Sequence, residues 1–342
     1  MRTFLLPLLA LVALAAIVVD ASCSGTYDRT SPALGAIVVD ATGKYSGSVK
    51  TVSAGVAKLS TAKTSKQTIF IRPGTYKEQV LIPALSGPLV VQGYTCNTLE
   101  YGDNQVTITH AMSQKDLSSS VTSNKNDLIS TLRLKSSAGV RIYNVNIANT
   151  AGNVGQAVAA YVDASNHGFY ACNFTGYQDT LCANKGNQLY ARSYISGAID
   201  FVFGLQAKAW FESCDIKFVG SGCVTANGNS ASTVTSEYIF NKATVSGSGS
   251  GTAYLGRPWR PNAHVVFQNS NLGKAINSAG WEKWDSSTST ANVYFKEYNN
   301  SGTGASTSKR VSFSEQLKKA VAITDILGSS YKSQWYVDTD FL

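Results

Sequence analysis

Residues 176–204 carry the sequence GYQDTLCANKGNQLYARSYISGAIDFVFG, which contains two short acidic motifs. GYQDTL contains Asp179, DFVFG contains Asp200, and 21 residues separate the two carboxylates. This separation is too long for one face of a helix and too long for a tight hairpin. It matches one coil of a parallel β-solenoid, in which residues one full coil apart stack about 4.8 Å from each other. The spacing therefore predicts a parallel β-solenoid in which the two carboxylates are neighbours.

Two stacked and partly dehydrated carboxylates have a chemical consequence. They cannot both ionise easily, so the pKa of one is expected to rise, and the pair then supplies an acid and a nucleophile from one residue type. A single Asp in a turn rich in Gly and Asn is more often a turn residue that hydrogen-bonds its own backbone. The motifs elsewhere in the chain favour the catalytic interpretation of this pair.

The composition of the 342-residue chain is typical of a protein rich in strands and turns. Only 15% of the residues are charged, while 29 are Gly and 17 are Tyr, which argues against a helical bundle or a disordered tail. The formal net charge of +8 suits a polyanionic partner such as a nucleic acid, an anionic lipid or an acidic polysaccharide. Since no run of Lys and Arg exceeds two residues, a nucleic-acid-binding surface is not indicated.

Several features indicate an extracellular protein. Residues 1–21 combine a basic Arg2 with an apolar stretch and small residues before a cleavage point, which predicts a signal peptide. Residues 22–342 are expected to form a single domain, and no stretch within them is long and apolar enough to cross a bilayer. N-glycosylation sequons begin at Asn173 and Asn299. Six cysteines permit disulfides, but their spacing selects none of the fifteen pairings: Cys23, Cys96, Cys172, Cys182, Cys214 and Cys223.

The rest of the domain consists of short apolar segments separated by Gly, Asn or Pro. Strands of three to six residues are predicted from Gln67 onward, without the alternation of strands and helices that a doubly wound sheet requires. A β-sandwich would also give short strands. However, similar motifs begin at positions 144, 171, 193 and 213, at intervals of 27, 22 and 20 residues. Asn or Asp at a repeated turn, followed by an inward Ile or Phe, favours a parallel β-helix.

Helices are expected only at the two ends of an otherwise all-β fold. Thr51–Lys58 has the apolar spacing of a short helix that caps the N-terminal end of the solenoid. Phe313–Val321 is amphipathic, with Ser314 as a plausible N-cap. We therefore predict a C-terminal helical segment over these residues, packed on the outside of the solenoid or capping it.

Five motifs together resemble those of the pectin methylesterases, carbohydrate esterases with a right-handed parallel β-helix. The resemblance runs from about residue 35 to the end, and the motifs follow the family's order: Gly74–Glu78, Gln156–Ala159, Gly176–Leu181, Asp200–Gly204 and Leu255–Trp259. Each motif alone is weak, whereas all five in order are highly specific. The resemblance implies a secreted enzyme that hydrolyses C6 methyl esters of polygalacturonan to pectate and methanol, without a metal or another cofactor. A monomer is expected.

The resemblance also implies a role for each motif residue. Asp200 is the expected nucleophile, and Asp179 the general acid and then the general base. Gln156 and Gln178 are expected to form the oxyanion hole, and Arg257 to hold Asp200. Four further residues are expected to bind the sugar chain: Thr75, Phe203, Trp259 and Trp281.

These residue types suit ester hydrolysis on chemical grounds as well. A carboxylate is a poor nucleophile unless it is oriented and partly desolvated, and an Arg beside Asp200 would keep it ionised and aimed. Asp179, without such a partner, is the carboxyl whose pKa should rise, so that it can protonate departing methoxide. Structural roles are expected for Glu78 and for the three histidines: His110, His167 and His264.

The same residues argue against other functions. A polygalacturonase would need an Arg-Ile-Lys signature and a serine esterase a Gly-x-Ser-x-Gly motif, and the sequence contains neither. A Ca²⁺-dependent lyase would need several carboxylates grouped around a metal, whereas only the spaced pair is evident. A non-enzymatic pectin-binding β-helix would be favoured by the loss of a motif residue, and none is lost. One departure concerns Cys182, because many plant members carry Tyr at this position and one groove aromatic is therefore missing.

Overall fold

The computed structural model describes Cys23 and residues 25–342, so the predicted signal peptide over residues 1–21 lies outside the described residues. The strands of the described part form a 17-stranded and an 8-stranded sheet. In chain order they are β1 (Ile37–Val39), β2 (Gln67–Ile71), β3 (Gly74–Lys77), β4 (Val80–Ile82), β5 (Leu89–Gly93), β6 (Val106–His110), β7 (Leu132–Leu134), β8 (Val140–Tyr143), β9 (Asn146–Asn149), β10 (Ala160–Asp163), β11 (His167–Tyr170), β12 (Asn173–Thr175), β13 (Leu181–Ala191), β14 (Tyr194–Gly197), β15 (Val202–Gly204), β16 (Gln206–Glu212), β17 (Asp215–Phe218), β18 (Gly222–Asn227), β19 (Glu237–Asn241), β20 (Thr244–Gly247), β21 (Ala253–Pro258), β22 (His264–Gln268), β23 (Asn271–Leu272), β24 (Tyr294–Tyr298) and β25 (Ser314–Gln316).

The strands wind into a parallel β-helix whose coils have three sides. β13 pairs in parallel with β10 along its first half and with β11 along its second half, so the larger sheet supplies two sides of the coil. The third side is the smaller sheet, in which β12 pairs in parallel with β9 and β14. The predicted all-β parallel β-helix is confirmed, because strands one coil apart in sequence are neighbours in space.

From β9 onward, a left-handed turn residue recurs in seven successive coils just before the side of the smaller sheet. Its φ lies between 47° and 55° in every case: Asn144, Ala171, Arg192, Ser213, Lys242, Asn269 and Asn299. The first four follow one another at intervals of 27, 21 and 21 residues. The predicted repeat was therefore wrong by one residue in its third copy, which begins at position 192 rather than 193. The strand register fixes this, since Tyr194 pairs with both Asn173 and Asp215.

An aromatic column runs through the interior of the solenoid. Neighbouring rings lie nearly parallel, with centroids 4.3–4.8 Å apart, and each coil contributes one of them: Phe169, Tyr190, Phe211, Phe240 and Phe267. All five side chains are fully buried. Because the hydrogen-bonded strands hold successive coils about 4.8 Å apart, in-register aromatic residues are brought to stacking distance without further adjustment.

The N-terminal end of the solenoid is covered by helix α1 (Val52–Ala57), which confirms the helix predicted there. Thr51 caps it, as its side chain accepts a hydrogen bond from the backbone N–H of Ala54 at 3.1 Å. The carboxylate of Glu78 accepts two more helix N–H groups, from Val52 at 2.7 Å and Ser53 at 2.9 Å. Carboxylates at this end of a helix are stabilising, so Glu78 has the structural role that was expected.

The C-terminal end differs from the prediction. The segment 313–321 is not a helix, because Ser314–Gln316 forms β25, which pairs with the outer edge of β24. Lys296 of β24 forms an ion pair with Glu315 of β25. The pairing satisfies backbone groups of an edge strand that would otherwise be left open. A helix does follow, as α3 (Ile323–Leu327), and it packs against the outside of the solenoid on β16. α2 (Lys125–Leu128) is a single turn.

Disulfide bonding involves two of the six cysteines, since Cys23 and Cys96 are bonded and the other four are free and buried. The bond ties the beginning of the described chain to the turn after β5. Within the described residues no helix is long and apolar enough to span a membrane.

Candidate active site

The two carboxylates of the opening motifs lie one coil apart, in register. Gln178 forms a parallel bridge with Ile199, and Leu181 pairs with Val202, so Asp179 and Asp200 occupy equivalent positions between these pairs. Both residues have left-handed backbones, with φ of 64° and 52°. Asp is among the few non-glycine residues that adopt this conformation with little strain, and the turn exposes both side chains to one cavity. The spacing of 21 residues therefore is one coil, as predicted.

Arg257, in β21, holds Asp200 through two parallel hydrogen bonds. Its Nε donates to Oδ1 at 2.9 Å and its Nη2 donates to Oδ2 at 2.7 Å. The guanidinium carbon also lies over the ring of Trp284, 4.4 Å from its centroid. A bidentate pair fixes both the charge and the orientation of the carboxylate, so Asp200 is held as the predicted nucleophile requires.

The electrostatics separate the two carboxyl groups. Burial raises the pKa of Asp179 well above its ordinary range, and the negative charge of Asp200 raises it further, against a smaller opposing effect of Arg257. Burial also raises the pKa of Asp200, but the hydrogen bonds and the charge of Arg257 oppose this rise. The pKa of both carboxyls is raised, whereas a rise was expected for only one of them. The larger rise belongs to Asp179, as predicted. Asp179 keeps its proton to higher pH, and Asp200 is the carboxylate of the pair.

Two glutamines lie beside the acidic pair. Gln156 and Gln178 form a parallel bridge in successive coils, and the side chains of both line the cavity, which has a volume of about 250 Å³. Neither carboxamide has a hydrogen-bond partner among the described residues, although their backbone carbonyls accept bonds from Gln114 and Ala157. Their N–H groups are therefore available to a bound molecule, as the predicted oxyanion hole requires.

Aromatic side chains form the walls of this cavity. Phe203 and Trp259 meet edge to face with ring centroids 6.2 Å apart, and both line the cavity together with Trp284. These faces can pack against the apolar face of a sugar ring. Phe203 and Trp259 thus lie where they were predicted to lie.

Two predicted substrate-binding residues are not brought to the cavity. Trp281 is fully buried, stacks on Phe295 at 4.3 Å, and donates from Nε1 to Glu297 at 3.2 Å. The prediction that Trp281 lines the groove is therefore wrong, and Trp284 of the same Gly-Trp-Glu-Lys-Trp segment takes that place. Thr75 is exposed on β3, in the first coils of the smaller sheet, and does not line the cavity.

Four cavity residues were not found from the sequence: Gln114, Asn126, Ala226 and Trp284. Gln114 Nε2 donates to Asn126 Oδ1 at 2.6 Å, which joins the 3₁₀ turn that begins at Gln114 to α2 along one polar edge of the cavity. Neither residue belongs to a motif or a repeat, so no local pattern could have indicated them. Trp284 could have been found, since it is the second indole of the segment 280–284, whose first indole was predicted to line the groove.

Known proteins share this organisation. The model of the Pectinesterase family matches residues 36–336. A pectinesterase of Aspergillus aculeatus is 49% identical over 323 residues, which is 92% of this chain and 94% of that protein. A pectinesterase of Aspergillus niger is 45% identical over 339 residues, or 96% and 98% of the two chains.

Solved structures agree with these relatives. The crystal structure of the pectin methylesterase from Aspergillus niger in deglycosylated form superposes with a TM-score of 0.82 at 37% identity, covering 92% of this chain and 100% of that one. The pectin methylesterase from carrot gives a TM-score of 0.77 at 26% identity, with coverages of 90% and 99%. The chain therefore belongs to the pectinesterase family, whose members are carboxylic ester hydrolases.

Proposed function

We propose that the protein is a secreted, monomeric pectin methylesterase that hydrolyses the C6 methyl esters of polygalacturonan to pectate and methanol. One observation carries the proposal: Arg257 holds Asp200 through two hydrogen bonds, while Asp179 lies one coil away in the same cavity. The two carboxyl groups differ in environment. Asp200 faces Arg257, whereas Asp179 is affected mainly by desolvation. This difference supplies a nucleophile and an acid.

In the first step the Asp200 carboxylate attacks the carbonyl carbon of the methyl ester. The carbonyl oxygen becomes an oxyanion, and the carboxamide N–H groups of Gln156 and Gln178 are placed to stabilise it as neutral donors. Protonated Asp179 gives its proton to the departing methoxide. Methanol leaves, an anhydride joins Asp200 to the C6 carbonyl, and Asp179 is left as a carboxylate.

In the second step Asp179 acts as the base. It takes a proton from a water molecule, whose oxygen attacks the C6 carbonyl of the anhydride. The bond to Asp200 breaks, which restores Asp200 as a carboxylate and releases the C6 carboxylic acid, and this acid then loses its proton to solvent to become the galacturonate carboxylate. Asp179 again holds a proton, and the cycle consumes one water for each methanol released. The hydrogen bonds from Arg257 to Asp200 orient the carboxylate oxygen that attacks in the first step.

Charge and location support the same substrate. The net charge of +8 favours association with a polymer that becomes more anionic as its esters are hydrolysed. Trp259 and Phe203 offer rings to the sugar faces beside the carboxylates. The proposed extracellular location rests on the signal-like sequence of residues 1–21.

The proposal is tested by measuring methanol release from highly methylated pectin in the presence of a chelator, with ultraviolet absorbance of unsaturated products followed in parallel. We expect methanol without new double bonds and no effect of the chelator. Unsaturated products, or activity lost with the chelator, would instead identify a lyase. Binding of pectin without either product would identify a non-enzymatic binding protein.

A further inference from the structure

Two asparagines of the chain lie in the sequence pattern that N-glycosylation requires. They are Asn173, in Asn-Phe-Thr, and Asn299, in Asn-Asn-Ser. The proposed secretion exposes both sequons to the glycosylating enzyme of the secretory pathway, so the sequence does not choose between them. The folded structure does choose, because a folded chain carries a glycan only where the protein leaves room for it.

The structure leaves no room for a glycan on Asn173. This residue is the first of β12, on the outer face of the smaller sheet, and it lies in register between Asn146 and Tyr194 of the neighbouring coils. One short turn covers both neighbours. Its Tyr101 packs on Tyr194 with ring centroids 5.4 Å apart. Its Asn104 Nδ2 donates to Asn146 Oδ1 at 3.2 Å. A glycan on Asn173 would displace this turn, so a chain modified there does not reach this fold.

The position of Asn299 is open. It is the last of the left-handed turn residues, with φ of 50°, and it is exposed. Its Nδ2 donates to Oδ1 of Asn269, the equivalent residue one coil earlier, at 3.0 Å. A carboxamide has two N–H groups, so the nitrogen can be bonded to a sugar in place of one hydrogen and still donate through the other. The fold therefore accommodates a glycan at Asn299.

Of the described coils, the one that contains Asn299 is the last on the side of the smaller sheet. One coil earlier, the backbone N–H of Asn269 donates to the carbonyl of Tyr298 at 2.9 Å. The backbone N–H of Ser270 donates to Asn300 Oδ1 at 2.9 Å. Among the described residues, the backbone N–H groups of Asn299 and Asn300 have no such partner. Unpaired backbone groups at the end of a sheet are a template for pairing with another chain, so a second molecule can associate here.

We propose that Asn299 carries an N-linked glycan, that Asn173 does not, and that this glycan covers the open end of the solenoid and prevents association between copies of the chain. The inference rests on the secretion within the proposed function, and not on the ester chemistry. In the transfer, Asn299 Nδ2 forms a bond to C1 of the first sugar of an oligosaccharide carried on a polyisoprenyl diphosphate. The bond between C1 and the diphosphate oxygen breaks, its electron pair stays with the diphosphate, and one amide proton is released.

The first test locates the glycan on the full chain secreted by a eukaryotic host. Peptide N-glycosidase converts a glycosylated Asn to Asp, so peptide mass spectrometry shows which sequon was modified. We expect conversion at position 299 and none at position 173. Asn299→Gln and Ser301→Ala should each lose the whole mass of the glycan, while Asn173→Gln, the matched control, should retain it. A glycan on Asn173, or none on Asn299, overturns the proposal.

The second test measures self-association by sedimentation equilibrium over a range of protein concentrations. The glycosylated wild type should keep the mass of one glycosylated chain. Ser301→Ala retains the amide of Asn299 but lacks the glycan, and its weight-average mass should rise with concentration, as should that of Asn299→Gln. Thermal unfolding checks that both variants are folded. Folded variants that lack the glycan and stay monomeric overturn its role at the end of the solenoid.

Methanol release from methylated pectin, measured on the same samples, separates this inference from the proposed function. Ser301→Ala should release methanol at the wild-type rate, because the sequon at Asn299 does not line the catalytic cavity. A wild type that releases methanol without a glycan on Asn299 overturns this inference alone. A wild type that carries the glycan on Asn299 and releases no methanol overturns the esterase function alone.

Discussion

Two of the bidentate Arg–carboxylate pairs in the described part of the solenoid have opposite surroundings. Arg310 holds Glu297 at 2.7 and 3.0 Å, much as Arg257 holds Asp200 at 2.9 and 2.7 Å. In the first pair both side chains are almost wholly buried, at 5% and 1% exposure, whereas Arg257 retains 25%. Arg310 also donates to backbone carbonyls, and Glu297 accepts the indole N–H of Trp281.

The two pairs differ in how many neighbouring hydrogen-bonding groups are left without a partner in the protein. The Arg310–Glu297 pair has its hydrogen-bonding capacity filled by the protein, so it can only stabilise the fold. The Arg257–Asp200 pair faces a cavity, beside a second carboxyl and two free carboxamides. An Arg–carboxylate pair is thus structural when protein groups fill all of its hydrogen bonds, and it can be reactive when it faces a cavity that a ligand can enter. Four experiments can test this comparison.

The largest expected effect follows from removing the carboxylate of the open pair. Asp200→Ala should lower kcat by roughly 10⁴-fold or more, because no other group can take its place as nucleophile, and Asp179→Ala should be similarly inactive. The measurement is methanol release from methylated pectin. Both variants should keep the wild-type circular dichroism spectrum. Substantial release by a folded Asp200→Ala protein would rule out the covalent mechanism.

The closed pair should show the reverse behaviour. Glu297→Ala should lower the free energy of unfolding by about 3–5 kcal/mol, since it leaves Arg310 buried without its counter-charge. Urea unfolding measures this effect. The control is Glu315→Ala, because Glu315 is a 71% exposed partner of Lys296 and its removal should cost less than about 1 kcal/mol. Equal losses for the two variants would mean that the closed pair does not stabilise the fold as proposed.

The free carboxamides beside the open pair should matter for the rate and not for substrate binding. Gln178→Ala should lower kcat about 10²- to 10³-fold, the usual cost of one oxyanion donor, with KM nearly unchanged. Gln206→Ala, at an exposed position outside the cavity, serves as the control. A large rise in KM with kcat preserved would assign Gln178 to substrate binding instead.

The smallest effect concerns stability and pH. The pKa of Asp179 in the folded state is raised, chiefly by burial, above the unfolded value. Its carboxyl therefore costs no stability below an unfolded pKa of about 3.9. The cost appears above that pH, as the unfolded state ionises first, and grows until the folded-state pKa is reached.

Asp179→Asn removes this cost and should raise the free energy of unfolding by about 1–2 kcal/mol at neutral pH. The gain should vanish near pH 3.5. Thermal melts of wild type and variant at both pH values provide the measurement. A gain of the same size at low pH would show that packing of the amide, and not the carboxylate charge, is responsible.

Much of the fold could be predicted because a β-helix is built from local repeats. The strand and turn pattern recurs from coil to coil, so the Asp179–Asp200 spacing and the repeated motifs together indicated a solenoid, and an error of one residue at position 193 did not change the conclusion. Helix α1 and the structural role of Glu78 were also predicted from their local sequence. The segment 313–321 was not, because its amphipathic pattern fits a helix as well as a strand, and the open edge of β24 decided between them.

The sequence by itself determined the parallel β-helix and the acidic pair, whose spacing follows the coil, and the resemblance of its motifs to those of the family indicated the arginine and the two glutamines. Only the tertiary structure decided which indole faces the groove, and it placed Trp284 there while Trp281 entered the core. It also brought Gln114 and Asn126 to the site, both from the long connection between β6 and β7. The physical reason is that coil register is set by neighbouring backbone hydrogen bonds, whereas the position of a loop depends on packing between segments far apart in the chain.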